Sequence, residues 1–322
     1  MDSKNRGNRI FLQRFTRAFV EVSMSSDLII KRIRADAPTM LLLLIIAVLL
    51  GWTFGTRLVS MGVFKGTALV IVGLIAGLLG GLIGTGGCSV MLPIIHFWMG
   101  YPTAVAVGTV LFAVIFTAVS GGYGHVLQRN VDRRAFLLLG LGGLGGVILG
   151  SWLFMLISAQ TGPLGMILGL FFLWPAIRMI YEGAVQRTAP KREGVSIQGS
   201  GRSITVFGFV VGIATGLAGL GGGYALVPGL VYLFGAPVYL TMGTSLATMI
   251  PLALVGGGIK LVQGFVDLPT GLLLGAGAVV GARVGAAIMK RFKPATLKLI
   301  FGIYFLYVSA KFITAFFGIL IW

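Results

Sequence analysis

GLIGTGGCSVMLPIIHFWMGYP occupies residues 81–102. Four glycines, a threonine, a serine and a cysteine crowd its start, and Pro93 follows, within a run otherwise apolar enough to cross a membrane. Glycine and proline are the poorest helix formers. In lipid, non-helical backbone is tolerated only where protein or a water-filled cavity surrounds it. The residues GLIGTGGCS (81–89) therefore read as a break between two short helical segments of about 12–18 residues, shorter than a full span.

The chain around this stretch is 57% hydrophobic and 10% charged, with a mean hydropathy of +1.00. Soluble domains average about 25% charged residues. Leu41–Gly55 and Ala104–Ser120 carry no charge at all. Apolar segments run over 40–60, 66–84, 88–99, 103–124, 135–159 and 163–181, then over 204–220, 223–234, 238–260, 268–289 and 295–319. A membrane span needs about 20 mostly apolar residues, so the fold class is an all-α polytopic membrane protein. The ten-residue alternation of a transmembrane β-barrel is absent.

The two series are one sequence written twice. Shifted by 135 residues, Gly73–Gly150 lies on Gly208–Gly285 without a gap, and a third of the positions are identical. The matches include Gly84/Gly219, Gly86/Gly221, Gly87/Gly222, Pro93/Pro228, Thr109/Thr244, Gln128/Gln263 and Asp132/Asp267. Two unrelated apolar stretches would share Leu and Val but would not keep Gly, Pro, Gln and Asp in register, so the chain is an internal duplication. The second break is GLAGLGGGY (216–224). The expected organisation is a basic extension (1–39), an extra span (40–60), a first repeat (66–181), a polar linker (182–203) and a second repeat (204–319).

The formal charge of +17 would point to nucleic acid in a soluble chain, but here Lys and Arg flank the spans, as cytoplasmic loops do. No nucleic-acid partner is expected. The extension holds eight Lys/Arg, with Ile10, Phe11, Phe15, Phe19 and Val22 at near-helical spacing. That pattern suits either a disordered tail or an amphipathic helix on anionic membrane lipids. Placing Arg129, Arg133 and Arg134, the linker and the KRFK run at 290–293 inside puts the N-terminus in the cytoplasm and the C-terminus outside. The loops 125–134 and 260–267 then fall on opposite faces, so the halves are expected to be inverted repeats, an arrangement found in transporters with a midplane site.

Each break leaves free amide N–H groups at the start of a helix, where the dipole favours an anion. The expected binding residues are Thr85, Gly86, Gly87, Cys88 and Ser89 on the first break, and Gly221, Gly222, Gly223 and Tyr224 on the second. Thr109, Thr244 and Ser245 follow one helix on. Arg283, inside the span 268–289, is either an anion partner or a side chain reaching the cytoplasmic surface. Gly142/Gly146/Gly150 and Gly277/Gly281/Gly285 read as helix-packing series. Asp132 and Asp267 read as N-caps, His96 as a hydrogen-bonded packing residue, and Lys260 as the outer end of its span. No acidic residue lies centrally in a span, which suits an anion path. With two histidines, one cysteine and no HExxH, no metal, cofactor or enzymatic role is indicated.

The doubled GxxGxGGxxxxxP block (Gly81–Pro93 and Gly216–Pro228), with GYPTAVAVGT (100–109), GAPVYLTMGTS (235–245) and the loops QRNVD (128–132) and QGFVD (263–267), resembles the TauE/SafE sulfite-exporter family of anion permeases. The resemblance covers about residues 66–317. It implies movement of sulfite, thiosulfate or an organosulfonate across the cytoplasmic membrane of a prokaryote. Cys88 stands where the family usually has a third glycine, and residues 1–60 lie outside the common core. A passive anion channel and a membrane scaffold are the alternatives. Direction, coupling ion and homo-oligomer formation stay open.

Overall fold

The computed structural model describes residues 37–51, 63–184, 196–289 and 294–319. The expected basic helix before residue 37, the second half of the extra span, residues 185–195 of the linker and the KRFK run lie outside the described residues. The chain divides into two compact units, residues 1–41 and 42–322; of the first, residues 37–41 are described and are helical.

The described residues are helical throughout, joined by short turns and without a strand. The helices are α1 (Ala37–Gly51), α2 (Val63–Ile83), α3 (Cys88–Trp98), α4 (Thr103–Leu127), α5 (Arg133–Ile157) and α6 (Thr161–Ala184). After the linker come α7 (Gly201–Ala218), α8 (Gly223–Tyr232), α9 (Val238–Val262), α10 (Leu268–Ile288) and α11 (Pro294–Phe316). Among the described residues, seven helices (α2, α4, α5, α6, α7, α9 and α10) are long and apolar enough to cross a membrane. At 1.5 Å per residue, the 25 residues of α4 reach about 37 Å, beyond a hydrocarbon core of about 30 Å. Leu74, Ile75, Leu137, Leu141, Trp152 and Val210 lie exposed on the outer helices. A belt of that size would be a liability in water and is the ordinary surface of a protein in lipid. The protein is a multi-pass α-helical membrane protein.

Local chemistry sets the helix ends. The Asp132 carboxylate accepts the Ala135 N–H at 3.0 Å and caps α5, while its other oxygen accepts the Ile197 N–H at 2.6 Å. Asp267 holds the equivalent position on α10, but its side chain makes no capping bond there. Pro102 and Pro237 stand just before α4 and α9, in extended conformations that stop a helix from running through.

Glycines decide how the helices meet. Gly73, Gly77 and Gly81 of α2 face Leu274, Ala278 and Ala282 of α10. The equivalent Gly208, Gly212 and Gly216 of α7 face Leu139, Gly143 and Val147 of α5. A Cβ at any of these six would fall under 3.0 Å from the facing backbone, so only glycine permits the approach. The two other small-residue series, Gly142/Gly146/Gly150 and Gly277/Gly281/Gly285, form the opposite sides of the same two interfaces. Residue numbers rise together across both, so those helices run parallel. The equivalent helices α4 and α9 instead cross antiparallel, Gly121 lying against Leu246 and Gly256 against Leu111. Likewise α6 and α11 run antiparallel, with Gly169 at Ile313 and Gly183 at Leu299. Helices α4 and α9 form the centre, and α1 packs Leu42, Leu43 and Leu49 against a cluster around Phe112 and Phe116 of α4.

Candidate functional site

Both breaks exist, and both are tighter than the sequence suggests. Helix α2 runs through Gly81 to Ile83, making it 21 residues long, because Gly81 packs against Ala282 as an ordinary helical residue. The first break is Gly84–Gly87 and the second is Gly219–Gly222. In each, the first, third and fourth residues are glycines with left-handed φ: 81°, 74° and 75° in the first, 67°, 67° and 78° in the second. L-residues pay about 1–2 kcal/mol to enter this region, so the pattern requires glycine at these six positions. The chain then re-enters a helix at Cys88 or at Gly223 and turns back along its own half.

The two breaks meet. Ser245 Oγ donates to the Gly84 carbonyl at 2.9 Å, and the Cys88 thiol donates to the Leu220 carbonyl across the interface. Gly223 lies against Thr85, where a Cβ would come within 2.6 Å of the Thr85 Cα. Over the junction sit Val114 of α4 and Met249 of α9, which occupy equivalent positions 135 residues apart; both face Gly86 and Gly221. At the start of α3 the Val90 and Met91 N–H groups donate to the Gly87 carbonyl, and at the start of α8 those of Ala225 and Leu226 donate to the Gly222 carbonyl, so the amides of Cys88, Ser89, Gly223 and Tyr224 are the ones left without a helical acceptor.

Two polar atoms stand out. Ser89 Oγ and Tyr224 Oη are buried, and neither has a hydrogen-bond partner. Ser89 and Tyr224 are equivalent residues, each the second of its helix. An unsatisfied buried hydroxyl costs about 1–3 kcal/mol, and here the cost is incurred twice at matching positions.

A cavity of about 50 Å3 leads to one of them. Thr85 and Tyr224 line its inner end; Arg178, Glu182 and Tyr232 line its mouth. Arg178 Nε donates to Glu182 Oε1 at 2.9 Å, and the guanidinium lies 4.0 Å from the Tyr232 ring centroid. Glu182 is buried and Arg178 is 42% exposed. Sequence reasoning missed these residues. The available signal was an Arg and a Glu four apart at the end of a span with no other charge. On the opposite side, near the end of α3, His96 Nδ1 donates to the Tyr101 carbonyl at 2.8 Å and its ring stacks on Phe312 at 5.5 Å. Phe97 packs on the same Phe312 ring at 4.7 Å. That side is filled with aromatic rings.

The remaining expected residues fall into two groups. Thr109 and Thr244 are fully buried, but their hydroxyls accept the N–H groups of Asp267 and Asp132, each at 2.9 Å. The conserved geometry of the QRNVD and QGFVD loops thus ends on these threonines, which hold loops instead of lining the cavity. Arg283 does not line it either; its guanidinium lies 5.7 Å from the Tyr123 ring centroid. Among the described residues no cluster of His, Cys, Asp or Glu has the spacing of a metal site.

Two interrupted helices face one another inside a bundle of helices long enough to span a membrane. Residues 69–312 match the family model described as sulfite exporter TauE/SafE. The chain therefore belongs to the TauE/SafE family, and its class is membrane transport. It is 27% identical over 267 residues to "Probable membrane transporter protein YunE" of Bacillus subtilis (strain 168), covering 76% of this chain and 96% of that protein. It is 26% identical over 246 residues to "Probable membrane transporter protein MJ0441" of Methanocaldococcus jannaschii, covering 72% and 89%. A third relative, "Probable membrane transporter protein YdhB" of Bacillus subtilis (strain 168), is 27% identical over 219 residues, covering 68% and 88%. No solved structure gives a significant match.

Proposed function

We propose that the protein is a secondary transporter for a small sulfur-containing anion, sulfite, thiosulfate or an organosulfonate, bound where the two glycine breaks meet. The observation that carries this reading is the pair of equivalent buried hydroxyls without partners, Ser89 and Tyr224, each beside the free amides of a helix start. Those donors and the two helix dipoles supply positive potential without a fixed charge. An oxyanion is held firmly enough to select and loosely enough to release. Thr85, Gly86, Gly87, Cys88, Gly221, Gly222 and Gly223 form the rest of this lining, and Ser245 supports it through the Gly84 carbonyl. The cavity from Arg178 to Tyr224 is the way in from one face, and the guanidinium at its mouth attracts anions.

The halves are inverted repeats in this reading. The antiparallel crossing of the equivalent helices α4 and α9 supports it, as does the recurrence of each α2–α10 contact at α7–α5. Rocking of one half on the other then exposes the junction to alternate faces. With the basic loops taken as cytoplasmic, the Arg178 mouth faces the cytoplasm of a prokaryote and the His96 side faces outward in this reading. Cysteines introduced at positions 129 and 264 should label from opposite faces; labelling from the same face removes the inversion.

The deciding experiment is flux into proteoliposomes of labelled sulfite, thiosulfate, sulfate and taurine. Saturable flux of one sulfur anion is the expected result. Flux that never saturates identifies a passive channel, and binding with no flux identifies a scaffold.

A further inference from the structure

The shift of 135 residues that superposes the breaks also places His125, in the last turn of α4, on Lys260, in the last turn of α9. Both side chains are fully buried. His125 Nε2 lies 3.1 Å from the Gly81 carbonyl, three residues before the first break. A carbonyl only accepts, so Nε2 carries the proton and Nδ1 presents a lone pair. That Nδ1 has no partner. Lys260 Nζ has no hydrogen-bond partner either and sits 3.1 Å from the Phe154 ring centroid. Lys260 therefore does not end its span at the surface, as the sequence suggests; the helix ends, but the amine turns inward.

Structure alone would favour an apolar residue at such a position in both copies. The duplication instead keeps a protonatable nitrogen in each while changing its type. Buried charge without a counter-ion is costly at membrane depth, and neither nitrogen has an ion-pair partner among the described residues. Around His125, α2 offers only the Gly81 carbonyl, α10 offers Arg283, and the following loop offers Arg129 and Asp132. Around Lys260, α5 offers Phe154 and the following loop offers Asp267; residues 103–122 of α4 carry no titratable group. Neither residue lines the cavity that ends at Tyr224, so an oxyanion entering there does not reach them.

We infer that His125 and Lys260 are a pair of proton-binding positions, one for each half, that couple proton movement to anion transport. A proton adds to the lone pair of His125 Nδ1 or of a neutral Lys260 Nζ. The anion at the break junction supplies the compensating charge, and the proton leaves when the anion does. This rests on the anion reading of the junction. His125 acts through the Gly81 carbonyl, so its protonation state is felt at the helix that carries the first break.

The test uses the full chain in liposomes with an entrapped pH dye and labelled sulfite. A pH gradient should accelerate sulfite flux by about tenfold in the unmodified protein, a coupling of ordinary size. His125→Gln keeps a donor for the Gly81 carbonyl, and Lys260→Met keeps the volume. Each variant should retain sulfite exchange at equal pH and lose the acceleration; full acceleration in both overturns the inference. A second measurement needs no substrate. His96→Gln leaves His125 as the chain's one imidazole, and its nitrogen signals in nanodiscs should change as the pH is scanned from about 8 down to about 5. A neutral tautomer unchanged across that range also overturns it. Absent flux of every sulfur anion, with a titrating His125, removes the substrate reading and leaves the proton site standing.

Discussion

The two glycine breaks have nearly one backbone and two sets of side chains. Their left-handed glycines recur in register, and so do the contacts that each break makes with α9 or α4. The side chains between them differ: Thr85 against Leu220, Cys88 against Gly223, Ser89 against Tyr224. At the glycines the halves agree because a left-handed φ permits a single residue type. In the proposed reading, the positions beside them on which the halves disagree carry the chemistry. The same holds further out, where an Arg–Glu pair marks the mouth of a cavity on one side and stacked aromatic rings fill the other.

The strongest way to break the comparison is to abolish the shared backbone. Gly87→Val or Gly222→Val puts a β-branched residue at a φ of 75° or 78° and drives its Cβ into Ala76 or Thr215. Transport should fall by about a hundredfold or more, equivalent to at least 2.7 kcal/mol, while the protein still inserts, as measured by flux and by detergent-extracted size-exclusion profiles. Equal losses at the two sites would confirm that the breaks work as a pair. Next is the pair of orphan hydroxyls. Ser89→Ala and Tyr224→Phe each remove an unsatisfied buried group, so thermal stability should hold or rise by about 1 kcal/mol. Sulfite flux should nevertheless fall about tenfold, the loss expected for a hydrogen bond made only to the anion. Stability and flux falling together would mean that these hydroxyls are structural.

Arg178→Gln sharpens the contrast between the two faces. Entry from its side should slow by about fivefold at low salt and by less at about 0.15 M, where screening already weakens steering. The smallest change in transport should come from Thr109→Val and Thr244→Val. Each loses the acceptor for a buried loop N–H and should cost about 1–2 kcal/mol in melting experiments. Flux per folded molecule should stay unchanged.

Much of this was legible in the sequence, for identifiable reasons. The duplication was visible because glycine and proline respond to backbone geometry and resist drift. The breaks were visible because their glycines are contiguous. Their limits were not, since Gly81 and Gly84 are the same letter, yet one packs in a helix and the other leaves it. The cavity mouth was hidden for a different reason. Arg178 and Glu182 lie beyond the gap-free repeat, and only tertiary closure brings them toward Tyr224. Thr109 and Thr244 read as ligand-facing because hydroxyls at matched positions beside a break suggest a substrate. Local pattern holds no record of which loop returns to fill them.

One consequence follows from the unlike pair over the junction. Val114 is a short, stiff wedge, whereas Met249 is long and compliant, and both press on Gly86 and Gly221. In the proposed alternating-access reading, a valine opposing a methionine weighs the inward and outward orientations of this core differently, so this pair of apolar side chains contributes to the resting direction of the empty protein.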